Sequence, residues 1–260
     1  MRNRTIGGAR LMNMTRTIIA SVGMVVAGAG AHAGFFADFE AYSPGQRLQG
    51  VDGWKGWDNA SSVAGLVSNS VAYDSDRSLM ISGIAQSSTD AVHEFSGATS
   101  GSWTVSAMQY LGSGQAGSTY FILMNRYQDN GNNNNAFWST QLRFDLSAGR
   151  VYDDFRGGSV AISTNAWAAI RVDINLAANT VKHYYNDMLI SSGTWSTGSA
   201  SKSALAAIDL YTGARNVAYY DDLTVSSASE LSSAARVPAQ GALATMAIGG
   251  LLLMPRRRRK

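Results

Sequence analysis

The stretch IRVDINL, at residues 170–176, alternates apolar and polar side chains at every position. Successive side chains of a β-strand point to opposite faces of the sheet, so this alternation predicts a strand with one buried face. The stretches WTVSA at 103–107 and WSTQLRFDL at 138–146 alternate in a similar way. Since no segment shows a sustained apolar stripe of helical period, the sequence predicts an all-β protein.

A central strand is predicted at residues 120–124, where YFILM is apolar on both faces. Turn signals separate the strands: Asn186-Asp187 suits a tight hairpin, and the Asn-rich run at 129–135 suits a loop. Many short strands at regular spacing predict one antiparallel β-sandwich of jelly-roll type over residues 34–226. The remaining strand candidates are residues 63–67, 78–82, 90–95, 179–185, 204–211 and 217–225.

The amino-terminal segment, residues 1–33, has the order of a secretory signal. Four arginines precede an apolar run over 17–31, and Ala31 and Ala33 stand at the −3 and −1 positions of a cleavage site. We therefore predict export and cleavage by signal peptidase. The alternative is an uncleaved amino-terminal anchor, although the apolar run is short for a membrane span. The start positions consistent with this signal are Met1, Met12 and Met14.

The carboxy-terminal segment, residues 237–260, reverses this order. Val237 and Pro238 are followed by an apolar stretch over 242–254 and then by five basic residues at 256–260. An apolar helix with a basic end should stop in the membrane with its tail in the cytoplasm. Because the stretch is shorter than the roughly 20 residues of a comfortable span, we expect transient anchoring in the inner membrane. A plain tail anchor is the alternative.

The motif, apolar helix and terminal arginines together resemble the PEP-CTERM sorting tail of Gram-negative bacteria. This resemblance implies processing by an exosortase-type enzyme and delivery to the cell surface or extracellular matrix. The core reads Pro238-Ala239-Gln240 here in place of Pro-Glu-Pro, so the resemblance lies in the order of the parts. Residues 227–236 form a small-residue linker between the sandwich and this tail.

Charge is divided unevenly along the chain. Nine of the 21 Lys and Arg residues lie in the two terminal segments, whereas all 18 Asp and Glu residues lie between them. Residues 34–255 therefore carry a net charge near −6, which argues against a nucleic-acid partner. The chain has no Cys, which excludes thiol catalysis and Cys-ligated metals.

Short motifs near both ends of the domain resemble concanavalin A-like and carbohydrate-binding jelly-roll modules. They read FE at 39–40, GW at 53–54 and YYDDLTV at 219–225. The resemblance implies a structural Ca²⁺ between the first and last strands, held by carboxylate oxygens. The implied ligands are Glu40 and, by strand parity, Asp222. The alternative is that these acids cap turns or face water.

The acidic residues form no catalytic pair along the sequence. A glycosidase normally needs two carboxylates flanking the bond, and the Glu-x-Asp-x-x-Glu strand of jelly-roll glucanases is absent. The adjacent pairs at 153–154 and 221–222 point to opposite faces of a strand. A lyase base would have to be His93 or His183, and we expect His183 to be a surface or half-buried side chain. The sequence therefore predicts a protein that is not an enzyme.

A polar patch suited to sugar is predicted on one sheet face. Assigning Tyr120, Ile122 and Met124 to the core leaves polar residues on the opposite face of their strand. The neighbouring strand adds more there, because Trp138 and Phe144 are assigned to the core, and an aromatic ring in a glycine-rich loop can stack at the rim. The alternative is a solvated polar face with its Trp in the core. The candidate ligand-binding residues are Asn125, Tyr127, Gln141, Arg143 and Trp57.

The leading hypothesis is an exported, non-catalytic polysaccharide-binding module. Its alternatives are a glycan-active jelly-roll enzyme, either hydrolase or lyase, and a structural matrix protein without a small ligand. The expected partners are polysaccharide, signal peptidase, an exosortase-type enzyme and, transiently, the inner membrane.

Overall fold

The computed structural model describes residues 34–84, 89–130, 136–198, 201–213 and 215–228. These residues form an antiparallel β-sandwich of fifteen strands, which confirms the predicted all-β class and is consistent with a jelly roll. In chain order the strands are β1 (Phe35–Ala37), β2 (Trp54–Gly56), β3 (Leu66–Ser68), β4 (Ser78–Ser82), β5 (Asp90–Glu94), β6 (Ser102–Leu111), β7 (Ser118–Arg126), β8 (Phe137–Asp145), β9 (Arg150–Asp153), β10 (Ser159–Ala161), β11 (Trp167–Asn175), β12 (Thr180–Tyr185), β13 (Met188–Thr194), β14 (Ala207–Thr212) and β15 (Val217–Ser227).

Two sheets pack face to face. Sheet A has the order β13-β12-β11-β6-β15-β4-β3, and β1 pairs with the later part of β15. Sheet B has the order β10-β9-β8-β7-β14-β5-β2, which places β7 at its centre as the apolar run at 120–124 predicts. Two short 3-10 helices, Trp57–Asn59 and Ser61–Val63, join β2 to β3.

The core between the sheets is built from alternate residues of each strand. On β11, Ile170, Val172 and Ile174 are buried, whereas the residues between them are only partly so. On β7 the inward residues are Phe121 and Leu123. The period-two pattern in the sequence therefore predicts correctly which side chains of β11 face the core. Bulky aromatic side chains fill much of the remaining space between the sheets. The largest of these are Trp54, Trp195, Tyr185, Tyr220, Phe39, Phe121 and Phe144.

The hairpin between β12 and β13 turns at the predicted dipeptide. Asn186 and Asp187 have φ angles of 47° and 59°, so both lie in the left-handed region. Two left-handed central residues define a type I′ turn, whose twist matches that of the flanking strands, and Asn and Asp tolerate this conformation. The predicted hairpin is therefore confirmed.

A buried polar network joins the two sheets beside this hairpin. Asp153 of sheet B accepts a hydrogen bond of 2.6 Å from the Ser191 hydroxyl and lies 3.3 Å from Nδ1 of His183, both on sheet A. The Nε2 atom of His183 lies 2.9 Å from the Thr140 hydroxyl. The Arg156 guanidinium lies 3.4 Å from the Asp153 carboxylate. The charged and the neutral side chains of this network therefore all have polar partners inside the sandwich.

His183 is fully buried, which corrects the expectation of a surface or half-buried side chain. It can be buried because Asp153, Ser191 and Thr140 satisfy both ring nitrogens. Burial lowers the pKa of His183. Burial opposes ionisation of Asp153, but hydrogen bonds from His183 and Ser191 outweigh it and hold the pKa of Asp153 well below its usual range. This serine–histidine–aspartate group lies inside the core, so we assign it to stability.

The proposed signal and sorting segments, residues 1–33 and 237–260, lie outside the described residues. Across the ranges that the structure describes, no helix has the length and apolar character needed to cross a bilayer.

Candidate active site

A groove of about 330 Å³ opens on the outer face of sheet B, away from the core. Its floor comes from β7 and β14, because Phe121 and Leu123 point inward and the alternate residues Tyr120 and Ile122 therefore point outward. The neighbouring strands and the loop after β2 supply the walls. The lining residues are Trp57, Asp90, Tyr120, Ile122, Trp138, Gln141, Asp209 and Tyr211.

Aromatic side chains form much of the groove surface. Trp57 and Trp138 stack with their ring planes within 9° of parallel and their centroids 6.0 Å apart. Tyr120 and Tyr211 are directly opposite each other on β7 and β14, with centroids 5.6 Å apart. Aromatic faces offer apolar contact to the C–H faces of sugar rings, while their polar atoms remain available for hydrogen bonding.

Two aspartates lie together in the groove. Asp209 on β14 is opposite Val92 of β5, and Asp90 is opposite Tyr211, so the two acids are diagonal cross-strand neighbours. Each carboxyl group lies within hydrogen-bonding reach of the other. A hydrogen bond between two carboxyl groups requires a proton on one of them. We call Asp90 and Asp209 the carboxyl pair.

Burial controls the ionisation of the carboxyl pair. Asp209 is only 3% exposed. Burial first, and then the charge of Asp90, raise the pKa of Asp209 well above its usual range. Burial also raises the pKa of Asp90. The pair therefore retains a shared proton to higher pH than an isolated aspartic acid, as expected for two carboxylates that share one site.

The Trp57 loop is fixed by hydrogen bonds from the loop that follows β7. The Asp58 amide donates to the Tyr127 hydroxyl at 3.0 Å, and that hydroxyl donates to Asp129 at 2.9 Å. The Asn130 amide donates to the Asp58 carboxylate at 2.9 Å. Asp58 has a φ of 52°, a left-handed conformation that these bonds stabilise. Trp57 is therefore held in place at the groove rim.

The structure brings four of the five predicted ligand-binding residues to this face. Trp57 and Gln141 line the groove, and Arg143 continues the row of Gln141 along β8. Tyr127 packs against Trp57 with ring centroids 5.1 Å apart, but it is 8% exposed and supports the loop. The role of these residues in binding a ligand stays a prediction.

Asn125 is placed wrongly by the sequence reasoning. It is 1% exposed, its amide donates to the Ser139 hydroxyl at 2.7 Å, and its carbonyl accepts the Lys202 amide. The assignment of Tyr120, Ile122 and Met124 to the core is also wrong, since all three belong to the outer face. The same holds for Trp138, because the pairing of β7 with β8 shifts register near Met124 and reverses the parity there.

The carboxyl pair itself was missed from the sequence. Asp90 and Asp209 are 119 positions apart and meet only through the register of β5 and β14. The adjacent pairs considered instead do point to opposite faces: Asp153 is buried, whereas Asp154 bonds Arg143 on the outer face. One signal was present in the sequence. Asp209 is the one charged residue in the apolar stretch 204–211. An acid is rarely buried unless it is paired, so its position there indicates a partner.

Glu40, one of the calcium ligands implied by resemblance, already has protein partners. Glu40 accepts hydrogen bonds from the backbone of Asp76 and Arg77 and pairs with the Arg77 guanidinium at 3.1 Å. Among the described residues, no group of three or more acidic, His or Cys side chains is arranged to hold a metal. The calcium site stays a prediction, and a melting temperature unchanged by chelator would rule it out.

Asp221, next to the proposed ligand Asp222, predicts a pH effect on stability. It is fully buried, accepts the Tyr73 amide at 2.9 Å, and burial raises its pKa to about 6. A raised pKa in the folded state means that stability falls as pH rises from about 4, the unfolded value, to about 6. We expect Asp221→Asn to remove this fall, measured as melting temperature between pH 4 and 7. If the difference in melting temperature between wild type and variant does not change with pH, this assignment is contradicted.

The fold and the groove together define a class: an antiparallel β-sandwich with an aromatic, acidic groove on the outer face of one sheet. No protein-family model matches the chain, and no curated protein matches its sequence. Solved structures with a similar fold do exist. Three of them are a sialidase (TM-score 0.51, 11% identity, 78% of this chain and 19% of that chain), a carbohydrate esterase from the Shiga toxin-encoding bacteriophage phi24B (0.51, 12%, 75% and 97%) and the T. cruzi calreticulin globular domain (0.50, 10%, 79% and 91%).

At these identities the likeness shows the fold alone, and the chain spans about a fifth of the sialidase chain. The prediction that the protein is not an enzyme is nevertheless overturned. The carbohydrate esterase, matched over 97% of its chain, shows that this fold occurs in an enzyme, so the fold gives no ground for excluding catalysis. The physical basis of that prediction also fails, because paired carboxyls are present at Asp90 and Asp209.

Proposed function

We propose that the protein is an exported glycan-active enzyme, a hydrolase that holds a sugar chain in the groove of sheet B. The observation that carries the proposal is the carboxyl pair, Asp90 and Asp209, which shares a proton beside stacked tryptophan rings. Perturbed acids in a concave, aromatic site are the usual mark of acid–base catalysis. The fold shared with a sialidase and a carbohydrate esterase supports the glycan class of substrate.

In this mechanism the carboxyl pair acts as one acid–base unit. Its shared proton passes to the oxygen that leaves the substrate as the C–O bond breaks. A water molecule adds to the carbon at which that bond broke and returns one proton to the pair. Because the two carboxyls contact each other, they are too close to flank a sugar from opposite sides, as two separate catalytic carboxylates do. This order of steps applies to a glycosidic bond. For an ester carried by the glycan, the pair first takes a proton from the water that adds to the acyl carbon and then gives a proton to the oxygen that leaves.

The surroundings of the groove favour hydrolysis over the lyase alternative. A lyase needs a base that removes a carbon-bound proton. Burial and the charge of Asp90 raise the pKa of Tyr211, which keeps its hydroxyl protonated. His183 lies in the core, and His93 is buried on the inward side of β5 with Nε2 3.0 Å from the Asp52 carbonyl.

A product assay on a panel of polysaccharides tests the proposal. Release of reducing ends marks cleavage of glycosidic bonds, release of acetate marks de-esterification, and unsaturated ends mark lyase action. We expect reducing ends or acetate from at least one glycan, with a loss of at least about 100-fold in Asp90→Asn. The matched control is Asp187→Asn, which removes the same charge from an exposed turn of sheet A. No product from any glycan would rule the function out.

Trp57 is expected to act on substrate binding more than on the chemical step. Truncation in Trp57→Ala removes one aromatic face, worth about 0.5–1.5 kcal/mol, so KM should rise about 3- to 10-fold with kcat little changed. Tyr73→Ala is the control, because it removes an exposed ring packed on Trp167 of sheet A. Equal effects of the two changes on KM would contradict the assignment of the groove.

Export and sorting remain part of the proposal. The basic, apolar and small-residue order of 1–33 supports cleavage after Ala33, and the PEP-CTERM resemblance of 237–260 supports surface delivery by an exosortase-type enzyme. Mass spectrometry of protein recovered outside the cell tests both ends at once. A mature chain that begins at Gly34 and lacks the basic end is expected; a chain that keeps both ends contradicts the sorting proposal.

A further inference from the structure

We infer that the groove selects uncharged glycans and excludes polymers of uronic acid. This inference rests on the proposed function and adds the charge of its substrate. Two observations support it. The first is the charge of the residues that line and flank the groove, and the second is the capacity of the carboxyl pair to accept hydrogen bonds.

Within the part of the chain that the structure describes, the groove lining has acids and no cation. Its eight residues include Asp90 and Asp209, and none of the eight is Lys or Arg. With one shared proton the carboxyl pair keeps one negative charge in a site where burial weakens solvent screening. A uronate carboxylate at this position would be a third acid without a counter-ion, which is strongly unfavourable in a partly buried site.

The cation at the tryptophan end of the groove is outnumbered by its partners. The Lys55 ammonium pairs with Glu94 and lies 2.6 Å from Asp129. One positive and two negative charges leave this cluster with a net negative charge. Lys55 also lies 5.2 Å from the Tyr127 ring centroid, so its remaining face is directed at an aromatic ring. It is not available to neutralise a uronate.

The cation next to Gln141 is outnumbered in the same way. The Arg143 guanidinium bonds Asp154 at 3.0 Å and Asp145 at 3.2 Å, and it lies over the Tyr152 ring at 4.7 Å. This cluster again carries one positive and two negative charges. The two clusters that contain Lys55 and Arg143 therefore each place surplus negative charge beside the groove, which disfavours a polyanion there.

The hydrogen-bonding capacity of the groove also fits hydroxyl groups. The Oδ1 atoms of both Asp90 and Asp209 are buried and accept no hydrogen bond from any other described residue, which leaves them to the shared proton. Both carboxyl groups also line the groove, where a carboxyl oxygen can accept a further hydrogen bond. A sugar hydroxyl donates a proton to such an acceptor, whereas an ionised uronate carboxylate only accepts hydrogen bonds. The pair is thus complementary to the hydroxyl-bearing part of a neutral sugar.

The test compares polymers that differ in charge and share a backbone. The probes are polygalacturonate, polymannuronate and polyglucuronate, each with its carboxyl-reduced, neutral form, together with neutral β-glucan, xylan and mannan. Binding of the purified protein to each is measured by affinity electrophoresis at low salt, and cleavage is measured in parallel. We expect retardation by at least one neutral polymer and none by any polyuronate. Retardation by a polyuronate, or by no neutral polymer, overturns the inference.

Variants test whether the carboxyl pair is the cause. The double change Asp90→Asn with Asp209→Asn removes the charge and retains the shape, so it should weaken exclusion of uronates by at least about 10-fold, a shift that Asp187→Asn should not give. A double variant that excludes uronates as strongly as the wild type contradicts the assignment to this pair. Cleavage of a polyuronate that is lost in Asp209→Asn would uphold the function and overturn the inference. Selective binding of neutral polymers without any cleavage would uphold the inference and overturn the proposed function.

Discussion

Replacing Asp209 by asparagine is expected to make the fold more stable at neutral pH. Asp209 is buried and its pKa is raised well above the usual range, so the folded state keeps a proton that the unfolded state releases near pH 4. Stability of the wild type therefore falls by about 1.4 kcal/mol for each pH unit between the unfolded and folded pKa values. An asparagine side chain does not titrate, so the Asp209→Asn variant lacks that fall.

The stability that Asp209→Asn gains over the wild type should increase as the pH rises. At pH 4 the melting temperatures of wild type and Asp209→Asn should agree. As the pH rises towards 7, the variant should gain about 3–6 °C over the wild type for each pH unit below the folded pKa of Asp209, from the usual relation between free energy and melting temperature for a domain of this size. Thermal unfolding followed by circular dichroism at each pH measures this. A variant less stable than the wild type at pH 7 would contradict the carboxyl pair.

The same change should abolish activity. Removing the general acid lowers kcat by about 100- to 10,000-fold, while binding of a neutral glycan is retained. A variant that is more stable and less active is the outcome expected for a residue whose buried ionisable group serves catalysis. Loss of activity together with loss of folding would instead place Asp209 among the structural residues.

Asp153→Ala is expected to have the largest effect on stability. It leaves the half-buried Arg156 and the buried His183 without their acidic partner, and removing one partner of a buried ion pair is destabilising by about 3–5 kcal/mol. For a domain of about 190 residues this corresponds to a melting temperature lower by about 10 °C. Urea denaturation at pH 7 gives the free energy of unfolding directly.

The neighbouring residue supplies a matched control. Asp154 follows Asp153 in sequence but pairs with Arg143 on the outer face, where an exposed ion pair contributes about 0–1 kcal/mol. Asp154→Ala should therefore change the free energy of unfolding by less than about 1 kcal/mol. If the two alanine variants lose similar stability, the buried network is not what holds the sheets together at that end.

The regular strands were predictable because their patterns are local. Alternation in IRVDINL depends on neighbouring residues, and the Asn186-Asp187 turn is encoded by two residues that tolerate positive φ. Gln141 and Arg143 were placed on the correct face for the same reason, since Leu142 and Phe144 between them are buried. In each case the deciding information lies within a few positions of the residue concerned.

The functional pair was not predictable by this route, because it depends on register between distant strands. Asp90 and Asp209 become neighbours only when β5 and β14 pair in one alignment. The bulge near Met124 had a comparable effect on Trp138, since one extra residue reverses which side chains face the core. Period-two patterns in a single sequence indicate neither how β5 and β14 align nor where the bulge near Met124 occurs.

The position of β15 has a mechanical consequence. This strand of eleven residues lies inside sheet A, bonded to β6 along one edge and to β4 and β1 along the other. A protein tethered by its carboxy-terminal end would receive tension through β15, along the strand axis and at right angles to its hydrogen bonds. Those bonds would share the load in shear and not open one at a time, so β15 is suited to resist a pull applied at that end of the domain.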